Sequence, residues 1–115
     1  MSSNMIPITS IRNYGQLYFL SGQIGLKDGV LVSEDIKEQL IQTVENIKTI
    51  LKEVNLSLNN VVSVTAYLIE QSDYAVFNEI YAELFQSPHP TRTTVTVKSL
   101  PLNAKVELQV IASKE

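Results

Sequence analysis

The segment Pro90-Thr91-Arg92-Thr93-Thr94-Val95-Thr96-Val97 puts one arginine just after a proline-held loop and at the mouth of an alternating strand. A guanidinium fixed there is suited to receive a carboxylate, because its planar fork of donors matches the two oxygens, a geometry that lysine cannot copy. A second charge follows on the next expected strand. In Lys105-Val106-Glu107-Leu108-Gln109-Val110 the apolar Val106, Leu108 and Val110 share one face, so Glu107 points the other way. Arg92 and Glu107 are therefore both expected to face away from the core. On spacing alone, such charges on the open face of a half-buried sheet are ordinarily solvated surface. For Glu107 a weak surface pair with Lys105 is the competing role.

Composition bounds what else the chain could do. Its 115 residues, 44% hydrophobic, suit a single domain covering residues 1–115, large enough to bury roughly two thirds of its unfolded surface. With net charge −3 and nine scattered Lys and Arg, it presents no basic stripe for nucleic acid. The absence of cysteine excludes disulfides, thiol nucleophiles and thiolate metal sites. The single histidine, His89, stands between Pro88 and Pro90 and reads as a loop residue, so no metal site is expected. Met1 to Ile8 shows no basic segment followed by a long apolar one, and no run of eighteen apolar residues occurs, so a cytoplasmic protein without a membrane partner is expected.

The elements that must position Arg92 and Glu107 follow from local pattern. Gly15 suits a tight turn between a strand over about Ile8 to Asn13 and another at Leu17 to Leu20. Asp28-Gly29 signals a second hairpin between Ile24-Gly25-Leu26 and Val30-Leu31-Val32. Ser33 is the expected cap of a helix on which Ile36, Leu40, Val44, Ile47, Leu51 and Val54 recur at helical spacing, with Glu34 and Asp35 at its positive end. Asn55 to Asn60 breaks it. Val61 to Ile69 then alternates as a central strand, with Val62, Val64, Ala66 and Leu68 on one face. A second helix starts at Ser72 or Asp73, carries the stripe Phe77, Ile80, Tyr81 and Leu84, and stops before Pro88.

Arg92 to Lys98 and Lys105 to Ile111 are expected to close the fold as a hairpin. Pairing Lys98 with Lys105 would set Arg92 opposite Ile111, with Glu107 about 13 Å away along the ladder, too far for one chain to use both. Two strand-helix-strand passages imply parallel strands with right-handed crossovers, and both helices on one side of the sheet. The expected fold is a two-layer α+β domain, a mixed sheet with two helices on one face. Its open face, expected to carry Ser63, Thr65, Tyr67, Thr94, Thr96, Glu107 and Gln109, is polar but nearly uncharged, as suits packing against other subunits.

Ser21-Gly22-Gln23-Ile24, Val61-Val62 through Tyr67-Leu68, Asn78-Glu79-Ile80-Tyr81, Pro90-Thr91-Arg92 and Leu100-Pro101 through Val106-Glu107, in this order over nearly the whole chain, resemble the RidA (YjgF/YER057c) family. The resemblance implies a chorismate mutase-like fold and a homotrimer whose sheets line a central barrel, with three clefts between subunits. It also implies an enamine/imine deaminase that hydrolyses 2-aminoacrylate-type intermediates, released by pyridoxal-phosphate enzymes, to 2-oxo acids and ammonia, without a cofactor. On this chain Arg92 would hold the substrate carboxylate, backbone near Thr94 and Gly22 would contact the substrate, and Glu107 would guide the attacking water. A protonated imine is already electrophilic, so positioning and a nearby carboxylate suffice.

Each neighbour has a structural alternative. Ser21 could close a strand end, Gly22 could permit a bend, Asn78 and Tyr81 could cap or pack a helix, and Tyr67 could line a cleft or an interface. Ile6-Pro7-Ile8-Thr9 stands where the family commonly has a Gly-Pro-Tyr-Ser-like segment, so Ile8 takes the place of a ligand-contacting tyrosine. Thr94 stands where many members have cysteine, and the Asn78 to Arg92 connection is shorter than in many relatives. Two further readings therefore stand beside the deaminase: a non-catalytic module binding 2-oxo acids, and an endoribonuclease or translation inhibitor, which the acidic balance disfavours.

Overall fold

Gly15, at φ +60°, closes the first hairpin between β1 (Ile11–Tyr14) and β2 (Leu17–Leu20) in this computed structural model, which describes residues 6–115. Residues 1–5, part of the stretch read above for targeting signals, lie outside the described residues. The first strand begins at Ile11, later than the sequence suggests. Asp28 and Gly29 both take positive φ, 55° and 81°, as a primed turn requires, and join β3 (Leu26–Lys27) to β4 (Val30–Leu31).

Helix α1 (Ile36–Lys52) is capped by Asp35, whose carboxylate accepts from the Lys37 N–H at 3.1 Å. Ser33, the expected cap, instead accepts from the Asp35 N–H at 2.9 Å, one step earlier. The helix needs a residue with non-helical backbone just before its first turn, and Asp35 fills that position. Past its end, Asn55 adopts φ +63° and the Leu56 N–H returns to the Leu51 carbonyl at 2.9 Å. The chain then runs through β5 (Val61–Leu68), α2 (Tyr74–Leu84), β6 (Thr91–Thr96) and β7 (Val106–Ser113).

The main sheet has the order β1-β2-β7-β5-β6. The expected β6–β7 hairpin is not formed: β5 lies between them, parallel to β6 and antiparallel to β7. A strand-helix-strand passage returns the chain in its original direction, so β6 lies parallel along one edge of β5 while β7 takes the other. Arg92 consequently pairs with Val64, not with Ile111, whose partners are Phe19 and Ser63. A register shift between Val61 and Ser63 turns Val62 outward, against expectation, and Val61 is buried in its place.

Both helices cover one sheet face. The core joins Leu40, Val44, Ile47 and Leu51 of α1 and Phe77, Ile80 and Tyr81 of α2 to Val64, Ala66, Leu68, Val106, Leu108 and Val110 of the sheet. This is the expected two-layer α+β arrangement. Among the described residues, no helix is long and apolar enough to cross a membrane.

Gln39 is a buried polar residue that ties the layers together. Its amide donates to the Ser33 carbonyl and its Oε1 accepts from the Lys105 N–H, both at 2.8 Å. Gln39→Leu would strand both backbone groups. It is expected to lower the unfolding free energy by about 2–4 kcal/mol in urea titration.

Candidate functional site

Register to β5 decides which way the side chains of β6 point. Val64, Ala66 and Leu68 face the helices, and their partners Arg92, Thr94 and Thr96 share that face. These three were expected on the open face, and Thr91, Thr93 and Val95 take it instead. Threonines on both sides of β6 leave no strong apolar face to declare the orientation, and Val95 is turned outward, 40% exposed.

Arg92 lies half-buried against α2. Its Cζ is 4.7 Å from the ring centroid of Tyr81, 5.1 Å from that of Phe77 and 5.9 Å from that of Tyr74. Nη2 donates to Asn78 Oδ1 at 2.6 Å and to the Tyr74 hydroxyl at 3.4 Å. The aromatic faces attract the cation without neutralising its charge. Among the described residues the ion pair present is Glu45–Lys48, so Arg92 meets no carboxylate. The Asn78 side chain, and then the Arg92 charge, pull the exposed Tyr74 hydroxyl below the usual tyrosine value. Burial pushes Tyr81 upward against the opposing pull of Arg92. The hydroxyls of Tyr81 and Thr94 are buried without a hydrogen-bond partner among the described residues.

Glu107 occupies the opposite face. It pairs with Tyr67 across β5 and β7, and these two line a cleft of about 400 Å³ with Gly22, Val97, Ser99, Leu100 and Gln109. Reciprocal backbone bonds between Gln23 and Leu108, at 2.8 and 3.0 Å, lay Gly22 alongside Glu107. A Cβ at Gly22 would overlap Glu107 Oε2, so glycine is what lets the carboxylate lie there. Burial raises the Glu107 pKa above the ordinary carboxylate value. The surface pair with Lys105 is not formed.

Comparison with known proteins decides the family. The family model described as Endoribonuclease L-PSP matches residues 8–114. A RutC family protein of Pyrococcus horikoshii is 42% identical over 95% of this chain and 88% of its own length. The chain belongs to the RidA (YjgF/YER057c) family. Its RidA-family relatives include the chloroplastic Reactive Intermediate Deaminase A of Arabidopsis thaliana, 39% identical over 93% of this chain and 58% of that protein. The solved structure of Escherichia coli TdcF with bound serine superposes with a TM-score of 0.89 at 29% identity, covering 96% of this chain and 91% of that one.

The candidate residues of this RidA-family chain fall into two groups. Gly22, Tyr67 and Glu107 share one cleft, and an adjoining shallow cleft holds Ile8 and Ser21, with Gln109 common to both. The Ser21 hydroxyl is engaged by the Thr9 carbonyl at 2.6 Å, and Ile8 is 64% exposed. Arg92 and Thr94 belong to the helix-covered side of the edge strand. Three residue positions along the strands and two strand spacings across put the Arg92 and Glu107 backbones about 14 Å apart, on opposite faces. A single chain does not bring them together.

In the sequence Asn78 suits capping or packing and Tyr74 carries no functional mark of its own. Both hold Arg92, and the signal was present: positions 74, 77, 78 and 81 are spaced to form one helical stripe.

Two expectations follow for the glutamate cleft. Gly22→Ala should displace the Glu107 carboxylate while the fold persists, because the atom it strikes is the end of a flexible side chain; a crystal structure of the variant checks this. A carboxyl whose folded pKa is raised binds its proton more tightly when folded, so stability declines as pH rises from the unfolded value through the folded one. Glu107→Gln should therefore be more stable than the native chain at neutral pH, with the difference vanishing below about pH 4 in urea titrations.

Proposed function

We propose that this chain is an enamine/imine deaminase that hydrolyses 2-aminoacrylate- and 2-iminopropanoate-type intermediates to 2-oxo acids and ammonia, at clefts between the subunits of a homotrimer. In that assembly the open sheet faces line a central barrel. The observation that carries the reading is Arg92, a half-buried guanidinium fixed by Asn78 and aromatic rings and lacking a carboxylate among the described residues. A partly desolvated cation without a counter-ion is stabilised by an anionic ligand, and a planar fork suits a carboxylate.

The proposed roles follow. Arg92 binds the substrate carboxylate beside the backbone of Thr94. On the outermost strand, the outer backbone row has no neighbouring strand among the described residues and is available for such contacts. Glu107, from the neighbouring subunit, takes a proton from water as its oxygen attacks C2 of the iminium. The resulting carbinolamine receives that proton on nitrogen, the C–N bond breaks, and the released ammonia departs as ammonium when the hydroxyl proton is transferred to it. Iminium carboxylate plus water thus becomes 2-oxo acid plus ammonium. Burial suits Glu107 to this exchange, because a carboxylate with a raised pKa is a better base. Gly22 and Tyr67 shape its cleft, while Ser21 and Ile8 form the adjoining rim.

A second reading, a non-catalytic module for 2-oxo acids, is favoured by Ile8, whose exposed side chain offers this rim no polar contact.

The test is release of ammonia or 2-oxo acid from freshly generated 2-iminopropanoate and longer imines. Arg92→Ala and Glu107→Ala are each expected to abolish the acceleration. Mixing and reassembling the two inactive chains at equal ratio should restore about a quarter of native activity, because each mixed trimer regains one native cleft of three and mixed trimers form three quarters of the population. No acceleration by the native chain over buffer would replace the deaminase with the binding module. Absence of restoration in demonstrated mixed trimers would remove the shared cleft.

A further inference from the structure

Arg92 has fewer free donors than an exposed arginine. A guanidinium offers a carboxylate two bidentate edges, Nε with Nη2 and Nη1 with Nη2, and both pass through Nη2. Here Nη2 already donates to Asn78 Oδ1, 2.6 Å away, and to the Tyr74 hydroxyl, 3.4 Å away. A carboxylate that takes either edge therefore competes with these acceptors for Nη2. The short bond to the amide oxygen persists, and the long, exposed bond to the phenol gives way.

The displaced group keeps a use. While the phenol oxygen accepts from Nη2, its own hydrogen finds no acceptor among the described hydrogen bonds. An anionic oxygen entering between Nη2 and Tyr74 meets a guanidinium hydrogen on one side and that phenolic hydrogen on the other. Tyr74 then changes from acceptor to donor without leaving the site. Its side chain is placed for this: the residue is 44% exposed and borders a cleft of about 470 Å³ shared with Ser72, Thr94 and Thr96.

We propose that Tyr74 is a further substrate-binding residue, whose hydroxyl holds the Arg92 fork in the empty site and donates to the carboxylate of the bound substrate. The inference rests on the assignment of Arg92 as the carboxylate receptor. It adds a specificity element: the site favours ligands whose carboxylate oxygen reaches Nη2 and the phenol together, over neutral ligands of the same shape.

The probe is 2-oxobutanoate, titrated into native protein, Tyr74→Phe and Arg92→Ala, with neutral 2-oxobutanamide as control. Phenylalanine retains the ring beside Arg92 and removes the hydroxyl alone. Tyr74→Phe is expected to weaken 2-oxobutanoate by about tenfold, as for loss of one charge-assisted hydrogen bond. Binding of 2-oxobutanamide should not change, and in turnover assays KM should rise with little change in kcat. Equal or tighter binding of 2-oxobutanoate by Tyr74→Phe, with binding abolished by Arg92→Ala, would overturn the role of Tyr74 and leave Arg92 as the receptor. Equal loss of both probes would overturn it too, by showing a contact blind to charge. Unchanged binding by Arg92→Ala, or none by the native chain, would overturn the receptor assignment itself.

Discussion

The parallel pairing of β6 with β5 is the constraint on which the arrangement of charged groups depends. It sets Arg92 level with Val64, a residue of the helix-facing side, and so directs the guanidinium under α2. The antiparallel pairing of β7 on the other edge of β5 sets Glu107 level with Tyr67, on the open side. One central strand thereby assigns the cation and the carboxylate to opposite faces. On the proposed reading, this separation makes the site a property of the assembly, since the two groups meet only where one chain's edge strand approaches the open sheet face of another.

The local elements were legible because their signals are local. The apolar recurrence from Ile36 to Leu51 could only be a helix with one buried face, and Asp28-Gly29 could only turn tightly. Val106, Leu108 and Val110 alternate so cleanly that the outward direction of Glu107 could be read as well. Pairing was harder. Two strands separated by a short connection resemble a hairpin, and nothing within Arg92–Lys98 or Lys105–Ile111 announces that β5 will lie between them.

The face of β6 was misread for a related reason. Alternation tells which residues travel together, but not which set lies inside, and Thr91, Thr93, Thr94 and Thr96 offer no apolar contrast. Val95, an apolar residue of the strand, itself lies on the open face. The presence of Arg92 was legible, whereas its surroundings were not, because aromatic residues at helical spacing ordinarily signal core. Phe77 and Tyr81 are indeed core, and the guanidinium rests against them at the margin of that core. Glu107 shows the converse: its direction was plain, but its close fit against Gly22 depends on the Gln23–Leu108 bridge, a contact between segments far apart in the chain.

The seat of Arg92 has a further consequence through its construction from a single helix. Tyr74, Phe77, Asn78 and Tyr81 occupy positions i, i+3, i+4 and i+7 of α2, so their mutual geometry is inherited from helix pitch and from no loop. With β6 held to β5 by its own ladder, the seat of Arg92 behaves as a cassette of two rigid parts. The connections on either side of β6, residues 85–90 and 97–105, are then free to lengthen, shorten or change composition without retuning the arginine. Ser99 and Leu100 of the second connection line the Glu107 cleft, so on the proposed reading evolution can remodel that rim, and with it the choice of ligand, while the anchor for the acid group stays in place.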